Sequence, residues 1–333
     1  MNIYDIAKLT GVSASTVSRV ANGKPGVGKK KRELIEEALR QYHYVPDEMA
    51  RSLVNQKSQT IGILTDDLDS RRQNEGTAQI ENVLMSNGYY CFTKYIGNAD
   101  NAIENGISDL AKRRVEGALL LGVSFREHHK LASAVERYLP DVPVVLVYQN
   151  SRFERENIYS VGADEKKGFR LCVDHLAQKG RKNIVLFIDR GRYSEKPIIS
   201  YFQEAVSSYA DLGMTGWISS GIEPTVSGGQ NEMRRMLMLH PNIDGVLCAQ
   251  DSIAIGAMYA CMDYGKRVPE DISVIGEDNS ALCEACRPKL TSLDTMVSDC
   301  TITSARVLVD VLRGVACSHE IHYEMRLKKR GSL

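Results

Sequence analysis

From Thr60 onward the chain alternates short, β-branched apolar runs with longer helical stretches, and it does so in two successive series. The first series holds Ile61-Gly62-Ile63-Leu64, Tyr90-Cys91-Phe92, Gly117-Ala118-Leu119-Leu120-Leu121 and Val142-Pro143-Val144-Val145-Leu146-Val147. The second holds Asn183-Ile184-Val185-Leu186-Phe187-Ile188, Trp217-Ile218, Gly245-Val246-Leu247-Cys248 and Ile272-Ser273-Val274-Ile275-Gly276. Strands that are apolar on both faces belong in parallel sheets covered by helices on either side. The pattern predicts an α/β body of two doubly wound parallel-sheet lobes over residues 60–333. We place lobe 1 at about 60–159 plus 294–318 and lobe 2 at about 160–293 plus 319–333, with Ser160-Val161-Gly162-Ala163-Asp164 passing between them. Ligands of such sheets bind beyond the carboxyl ends of the strands, which makes the cleft between the lobes the expected small-molecule site.

The first two dozen residues follow a different rule. Ile3, Ile6, Ala7 and Leu9 share one face at helical spacing. Gly11 then supplies the left-handed residue that ends a helix cheaply. Ser13 is placed to cap a second helix in which Val17, Val20 and Ala21 point inward and Ala14, Ser15, Ser18, Arg19 and Asn22 stay outside. The pattern is an all-α helix-turn-helix. Its outer face is small, hydroxylic and cationic, suited to a DNA major groove, with Arg19 able to fork onto guanine. A third helix carries Leu34, Ile35, Ala38, Leu39 and Tyr42 as its apolar stripe, and Pro46 ends a head of residues 1–46. The segment 47–59, a linker, has helix-forming residues but is too short for a helix stable on its own.

Charge distribution agrees with this division. The net charge is zero, yet residues 1–57 carry ten lysines and arginines against six acids, so the head is basic and the body acidic. Lys29-Lys30-Lys31-Arg32 reads either as a solvated helix start or as a phosphate contact beside the helix-turn-helix. With 43% apolar and 25% charged residues, and no apolar run near the ~20 residues of a membrane span, the composition is that of a soluble globular protein. Met1-Asn2-Ile3-Tyr4-Asp5 lacks the start of an export signal, so a cytoplasmic location is expected. The eight cysteines are scattered, several within apolar runs, as buried thiols in a reducing compartment are. Cys283-Glu284-Ala285-Cys286 has redox or half-zinc spacing but no second pair or histidine couple completes it. No nucleophile, metal set or nucleotide loop appears, so neither enzymatic activity nor a cofactor or metal is expected.

Asp5-Ile6-Ala7, Gly11-Val12-Ser13 and Thr16-Val17-Ser18-Arg19-Val20 with Asn22-Gly23 closely resemble the DNA-binding signature of the lactose-repressor/galactose-repressor family. The resemblance extends through Gly162-Ala163-Asp164, His175-Leu176, Asp251 to Gly256, Val268-Pro269-Glu270-Asp271, Pro288-Lys289-Leu290-Thr291 and Arg330-Gly331-Ser332. It implies a periplasmic-binding-protein-like body, a homodimer, and a transcriptional regulator, most often a repressor, that binds a palindromic operator under control of a small, carbohydrate-derived effector. It assigns base reading to Ala14, Ser15 and Arg19; beside them, Tyr4, Ser13, Thr16, Ser18, Asn22 and Lys30 are expected to hold phosphates. Ala50-Arg51-Ser52-Leu53 matches the family's hinge helix, which implies that Ala50, Arg51 and Leu53 enter the minor groove with Leu53 as the wedge. Two other classes share parts of the pattern: a small-molecule binder or enzyme on the same fold, and a DNA-binding protein without an effector.

The cleft departs from the family. Where members carry an aromatic turn that stacks on a sugar, this chain has Ser70-Arg71-Arg72-Gln73. The effector-gripping arginine aligns with Ile198, and the aromatic before the acid of Gly276-Glu277-Asp278 is Glu277. Arg72, Gln73, Tyr148, Asp251 and Asp278 are the candidate effector contacts. Asp251 reads equally as a helix cap. Arg71 and Arg72 read either as grips for an acidic sugar or as exposed partners of Asp66, Asp67 and Asp69.

Overall fold

The computed structural model describes residues 2–21, 23–44, 58–68, 70–97, 99–122, 124–126, 128–150, 152–190 and 195–333. They fall into two units, Met1–Gln59 and Thr60–Leu333.

The first unit has three helices, α1 (Ile3–Thr10), α2 (Ala14–Ala21) and α3 (Lys29–Gln41). A capping box starts α1. The Asn2 side chain accepts the Tyr4 and Asp5 N–H groups, and the Asp5 carboxylate takes the Asn2 N–H at 2.9 Å. Gly11 ends it at φ +64°, as the turn requires, and Ser13 Oγ accepts the Thr16 N–H at 3.3 Å to begin α2. Ile6, Ala7, Val17, Val20 and Ile35 form the core. Three expected core residues do not join it: Leu9, Leu34 and Tyr42 are exposed. Three short helices enclose only one small core, and these positions lie on the flanks of their stripes, past its edge.

In the second unit, the first sheet is built from β1 (Thr60–Thr65), β2 (Tyr90–Tyr95), β3 (Gly117–Leu121), β4 (Val144–Val147) and β5 (Ile158–Ala163). Helices α4 (Arg71–Ser86), α5 (Ala102–Lys112) and α6 (His128–Tyr138) connect the first four strands. The second half continues with α7 (Glu165–Gln178), β6 (Asn183–Asp189), α8 (Glu195–Ser207), β7 (Thr215–Ile222), α9 (Val226–Leu239), β8 (Gly245–Cys248) and α10 (Asp251–Asp263). It closes with β9 (Ser273–Glu277), α11 (Leu282–Ala285), β10 (Thr291–Asp294), α12 (Val297–Leu312), β11 (Glu320–Tyr323) and β12 (Arg326–Lys328). The sheet orders are β11-β5-β4-β3-β1-β2 and β12-β10-β9-β8-β6-β7, parallel except for the antiparallel β10–β12 pair. The expected doubly wound α/β architecture is the one observed. The fully buried runs of β3, β4 and β8 show why these segments read as continuous apolar stretches.

The lobe limits differ from the expected ones. Residues 160–163 are the end of β5 in the first sheet, so the first crossing follows Ala163 rather than Tyr159. Residues 320–323, assigned to lobe 2, add β11 in parallel to β5 and so belong to lobe 1. Only β12 and the chain end return to lobe 2, where Ser332 Oγ accepts the Thr291 N–H and donates to the Val274 carbonyl. Glu320-Ile321-His322-Tyr323 is an edge strand too polar to resemble the buried runs.

Candidate functional site

Each sheet reverses its winding between two central strands, β1 and β3 in lobe 1 and β6 and β8 in lobe 2. Residues at or just past those strand ends, Asp66 and Gly122 on one side and Asp189 and Ala249 on the other, line a cavity of about 860 Å³ between the lobes. Arg72, Gln73, Tyr148, Asp251 and Asp278 all line it too, so the five sequence candidates are brought together.

In lobe 1, Gln73 is mainly a brace. Its Oε1 accepts the Asp66 and Asp67 N–H groups, and its Nε2 donates to Asp66 Oδ1 at 2.6 Å. Asp66, 3% exposed, also takes the Ser124 N–H at 2.7 Å. That contact requires Gly122: its φ is +135°, and a Cβ there would collide with the Asp66 carboxylate. Tyr148 is buried at φ +64°, and its hydroxyl shares a hydrogen bond with Thr301 Oγ1 at 2.8 Å. Burial pushes that hydroxyl up to about 12, with the Arg72 charge pulling the other way. The Arg72 guanidinium lies over the Tyr148 ring, 4.2 Å from its centroid, so one face of this aromatic is already covered.

In lobe 2, Asp251 is the first residue of α10 and 3% exposed. It holds neighbouring segments together, accepting the Ser280 N–H and the Ser292 hydroxyl, both at 2.6 Å. Burial raises its pKa, and these two bonds pull it back. The expectation that it caps its own helix is not met, because the cap position is Gln250. Asp278 sits at φ +94° and accepts the Thr295 hydroxyl at 3.0 Å. Ile198 is fully buried in the apolar core and does not line the cleft. Glu277 ends β9 and is 2% exposed.

The site also contains groups that sequence reasoning missed. Carboxylates at Asp66, Asp67, Glu75, Glu165, Asp189, Glu223 and Glu277 line the cavity beside Asp251 and Asp278, against only Arg72, Arg126 and Arg190 among the described lining residues. Arg126 pairs with Glu165 of the other lobe at 2.8 Å, and Arg190 pairs with Glu223. Gln149 is 2% exposed; its Nε2 donates to the Gly122 carbonyl at 2.7 Å, while Oε1 has no hydrogen-bond partner among the described residues. The usable signal was position: Asp66, Gln149 and Asp189 each end or closely follow a strand.

In the helical head, Ser13, Ser15 and Arg19 are exposed, as are Tyr4 on α1 and Lys30 on α3, while Thr16 and Ser18 are half-buried. Ala14 packs partly against the core. Arg19 Nη1 donates to the Pro25 carbonyl at 3.3 Å. Asn22, Ala50, Arg51 and Leu53 lie outside the described residues. Both thiols of the Cys283/Cys286 pair are buried, and burial raises both, Cys283 to about 12. No described helix is long and apolar enough to cross a membrane.

A basic helical head and a two-lobed body with a polar cleft have the layout of a DNA-binding regulator, and comparison with known proteins gives the family. Residues 2–47 match the model of bacterial regulatory proteins of the lacI family, and residues 173–333 match the periplasmic binding protein-like domain. An HTH-type transcriptional regulator of Lachnoclostridium phytofermentans is 30% identical over 315 residues, covering 94% of each chain. The ribose operon repressor of Halalkalibacterium halodurans is 30% identical over 312 residues, 92% of this chain and 89% of that one. The fold is shared with the lac repressor dimer solved on its operator with the anti-inducer ONPF: TM-score 0.87, 24% identity, 100% and 98% of the two chains. The chain belongs to the lacI family of bacterial regulatory proteins and is a transcriptional regulator, not an enzyme.

Proposed function

We propose that this regulator is a repressor that binds a palindromic operator as a homodimer and changes its hold on DNA when a small hydroxylated ligand occupies the cleft. The observation that carries the reading is the cavity at the two switch points, in a chain that also has an exposed cationic recognition helix. Ala14, Ser15 and Arg19 read bases; Tyr4, Ser13, Thr16, Ser18, Asn22 and Lys30 hold phosphates. Exposure of Tyr4, Ser13, Ser15, Arg19 and Lys30 supports this, and resemblance supplies the rest. Ala50, Arg51 and Leu53 are assigned to the minor groove by resemblance alone. The ribose-operon and lac repressor relatives make a sugar-sized ligand the natural class.

Selection of bound sequences from a randomised DNA pool tests the first half. Two inverted half-sites are expected, because a twofold dimer presents two recognition helices related by symmetry. A single asymmetric site would overturn the dimeric reading. Fluorescence anisotropy on the selected DNA with a sugar panel tests the second half, and an operator affinity that no cleft ligand alters would remove it.

A further inference from the structure

Of the three arginines that line the cavity among the described residues, two are paired, Arg126 with Glu165 at 2.8 Å and Arg190 with Glu223. Arg72 is not. Among the described residues its side chain makes neither an ion pair nor a hydrogen bond, and its Nε is buried without an acceptor. The buried acid of the same wall, Asp66, has both oxygens in use, Oδ1 on Gln73 Nε2 and Oδ2 on the Ser124 N–H. A guanidinium enclosed with a ligand needs its N–H groups and its charge met together, because leaving either uncompensated out of water is costly.

Arg72 is also held in place. Its guanidinium lies over the Tyr148 ring, 4.2 Å from the centroid, and Tyr148 is itself fixed by the hydrogen bond to Thr301 at 2.8 Å. A guanidinium covering a ring still has its N–H edge to offer, and that edge matches two oxygens of a carboxylate or phosphate. Arg72 belongs to the first turn of α4, which carries no acidic side chain, and Ser70 and Gln73 of the same helix start line the cavity beside it. The positive end of the helix favours an anion there as well.

The neighbouring demand is opposite. Gln149, one residue beyond Tyr148 and 2% exposed, has an Oε1 without a partner among the described residues, so it needs a donor from whatever fills the cavity. A hydroxyl supplies one. Resting on the reading that the cleft holds the effector, we propose that this effector is a hydroxylated anion of sugar size, whose acidic group pairs with Arg72 and whose hydroxyls donate to Gln149. A neutral sugar leaves the Arg72 charge unmatched, and an amine sets a like charge beside it.

Isothermal titration of the full-length protein with glucose, glucosamine, glucuronate and glucose 6-phosphate tests this, since the four share a ring and differ in charge. Glucuronate or glucose 6-phosphate should bind roughly tenfold or more tighter than glucose and glucosamine, by a margin that shrinks as salt rises. Which of the two binds tighter separates a carboxylate from a phosphate. Arg72→Gln, checked by melting for intact folding, should erase the preference for the anion and leave the affinity for glucose unchanged, whereas a merely structural role would weaken all four alike. Glucose or glucosamine equalling the anions, a preference that survives in Arg72→Gln, or silence from glucuronate, galacturonate, gluconate and glucose 6-phosphate alike overturns the proposal. Operator anisotropy run alongside separates it from the regulatory reading. An anion that binds without changing operator affinity upholds the Arg72 site and removes the effector role. A neutral sugar that binds tightest and changes it does the reverse.

Discussion

In the head, the side chains we assign to DNA come from short neighbouring helices and the turn between them, and Ser13, Ser15 and Arg19 stand in solvent. In the cleft they come from strand ends as far apart in sequence as Asp66 and Asp278, and Asp66, Gln149, Asp189, Asp251 and Glu277 are all nearly buried. The difference follows from what each site must recognise. A groove is read by side chains reaching outward from a rigid helix, and phosphates supply much of the affinity. A small ligand is enclosed, so its contacts must be desolvated in advance and held by neighbours. Each surface therefore depends on a different support: the head on a five-residue core, the cleft on hydrogen bonds between buried polar groups.

The largest expected effect breaks the head without touching the cleft. Ile35 is fully buried in a core completed by Ile6, Ala7, Val17 and Val20. Truncating it to alanine should cost ~2–5 kcal/mol, most of what so small a unit has to spare. Operator binding should vanish, while ligand titration and the melting of the body stay as in the parent protein. Loss of ligand binding in Ile35→Ala would show that the two surfaces share a support.

Gly122→Ala makes the converse test. The alanine would have to hold φ +135° and push its methyl into the Asp66 carboxylate, so a cost of about 1–3 kcal/mol is expected. A lower thermal midpoint of the body and weakened ligand affinity, with non-specific DNA binding retained, would confirm that the Asp66–Gln73–Ser124 brace shapes the wall.

How much of this was legible in the sequence follows the same contrast. The head's turn, cap and buried positions are local, so Gly11, Ser13, Val17 and Val20 could be read from spacing; Leu9 and Leu34 misled because periodicity marks a face but not how far the core extends. Eight strands were visible as apolar runs, whereas β5, β10, β11 and β12 are shorter or more polar. In the cleft, sequence could nominate Asp251 and Asp278 but not foresee that Asp251 would be occupied by Ser280 and Ser292, partners 29 and 41 residues away. Nor could it show that Arg72 would lie over Tyr148, since that contact depends on where α4 meets the end of β4. Which charged groups meet in the cavity emerges only when the strand ends are assembled.

A smaller effect sharpens the reading of the head. Arg19 is exposed and tied only loosely, to the Pro25 carbonyl at 3.3 Å, so it can turn toward a base edge at little cost. Arg19→Ala should weaken operator binding by ~1–3 kcal/mol and flatten preference at one base pair of each half-site. Equal loss on operator and random DNA, measured by competition anisotropy, would make Arg19 a phosphate contact instead.

The smallest effect concerns pH and falls on the cleft. Burial raises the Asp251 carboxyl above its ordinary value of 3.8, although the Ser292 and Ser280 bonds favour the charged form. A carboxyl raised on folding binds its proton more tightly in the folded state. The stability this adds is complete below its ordinary value and is lost as pH rises through the elevated one. Asp251 therefore works against stability at neutral pH, the opposite of an exposed paired acid such as Asp271, whose pKa Arg267 lowers. Urea melts of the parent protein and of Asp251→Asn across pH 3.5 to 7 should show the difference between them changing with pH. The asparagine sacrifices a hydrogen bond at every pH, at a cost of about 1–3 kcal/mol, because its NH₂ only donates and its single oxygen replaces the two that accept from Ser280 and Ser292. Superimposed on that constant loss, the parent should gain on the variant as pH falls, since only the parent can take up the proton. A difference that stays flat would mean that the hydrogen bonds to Asp251 fully offset its burial.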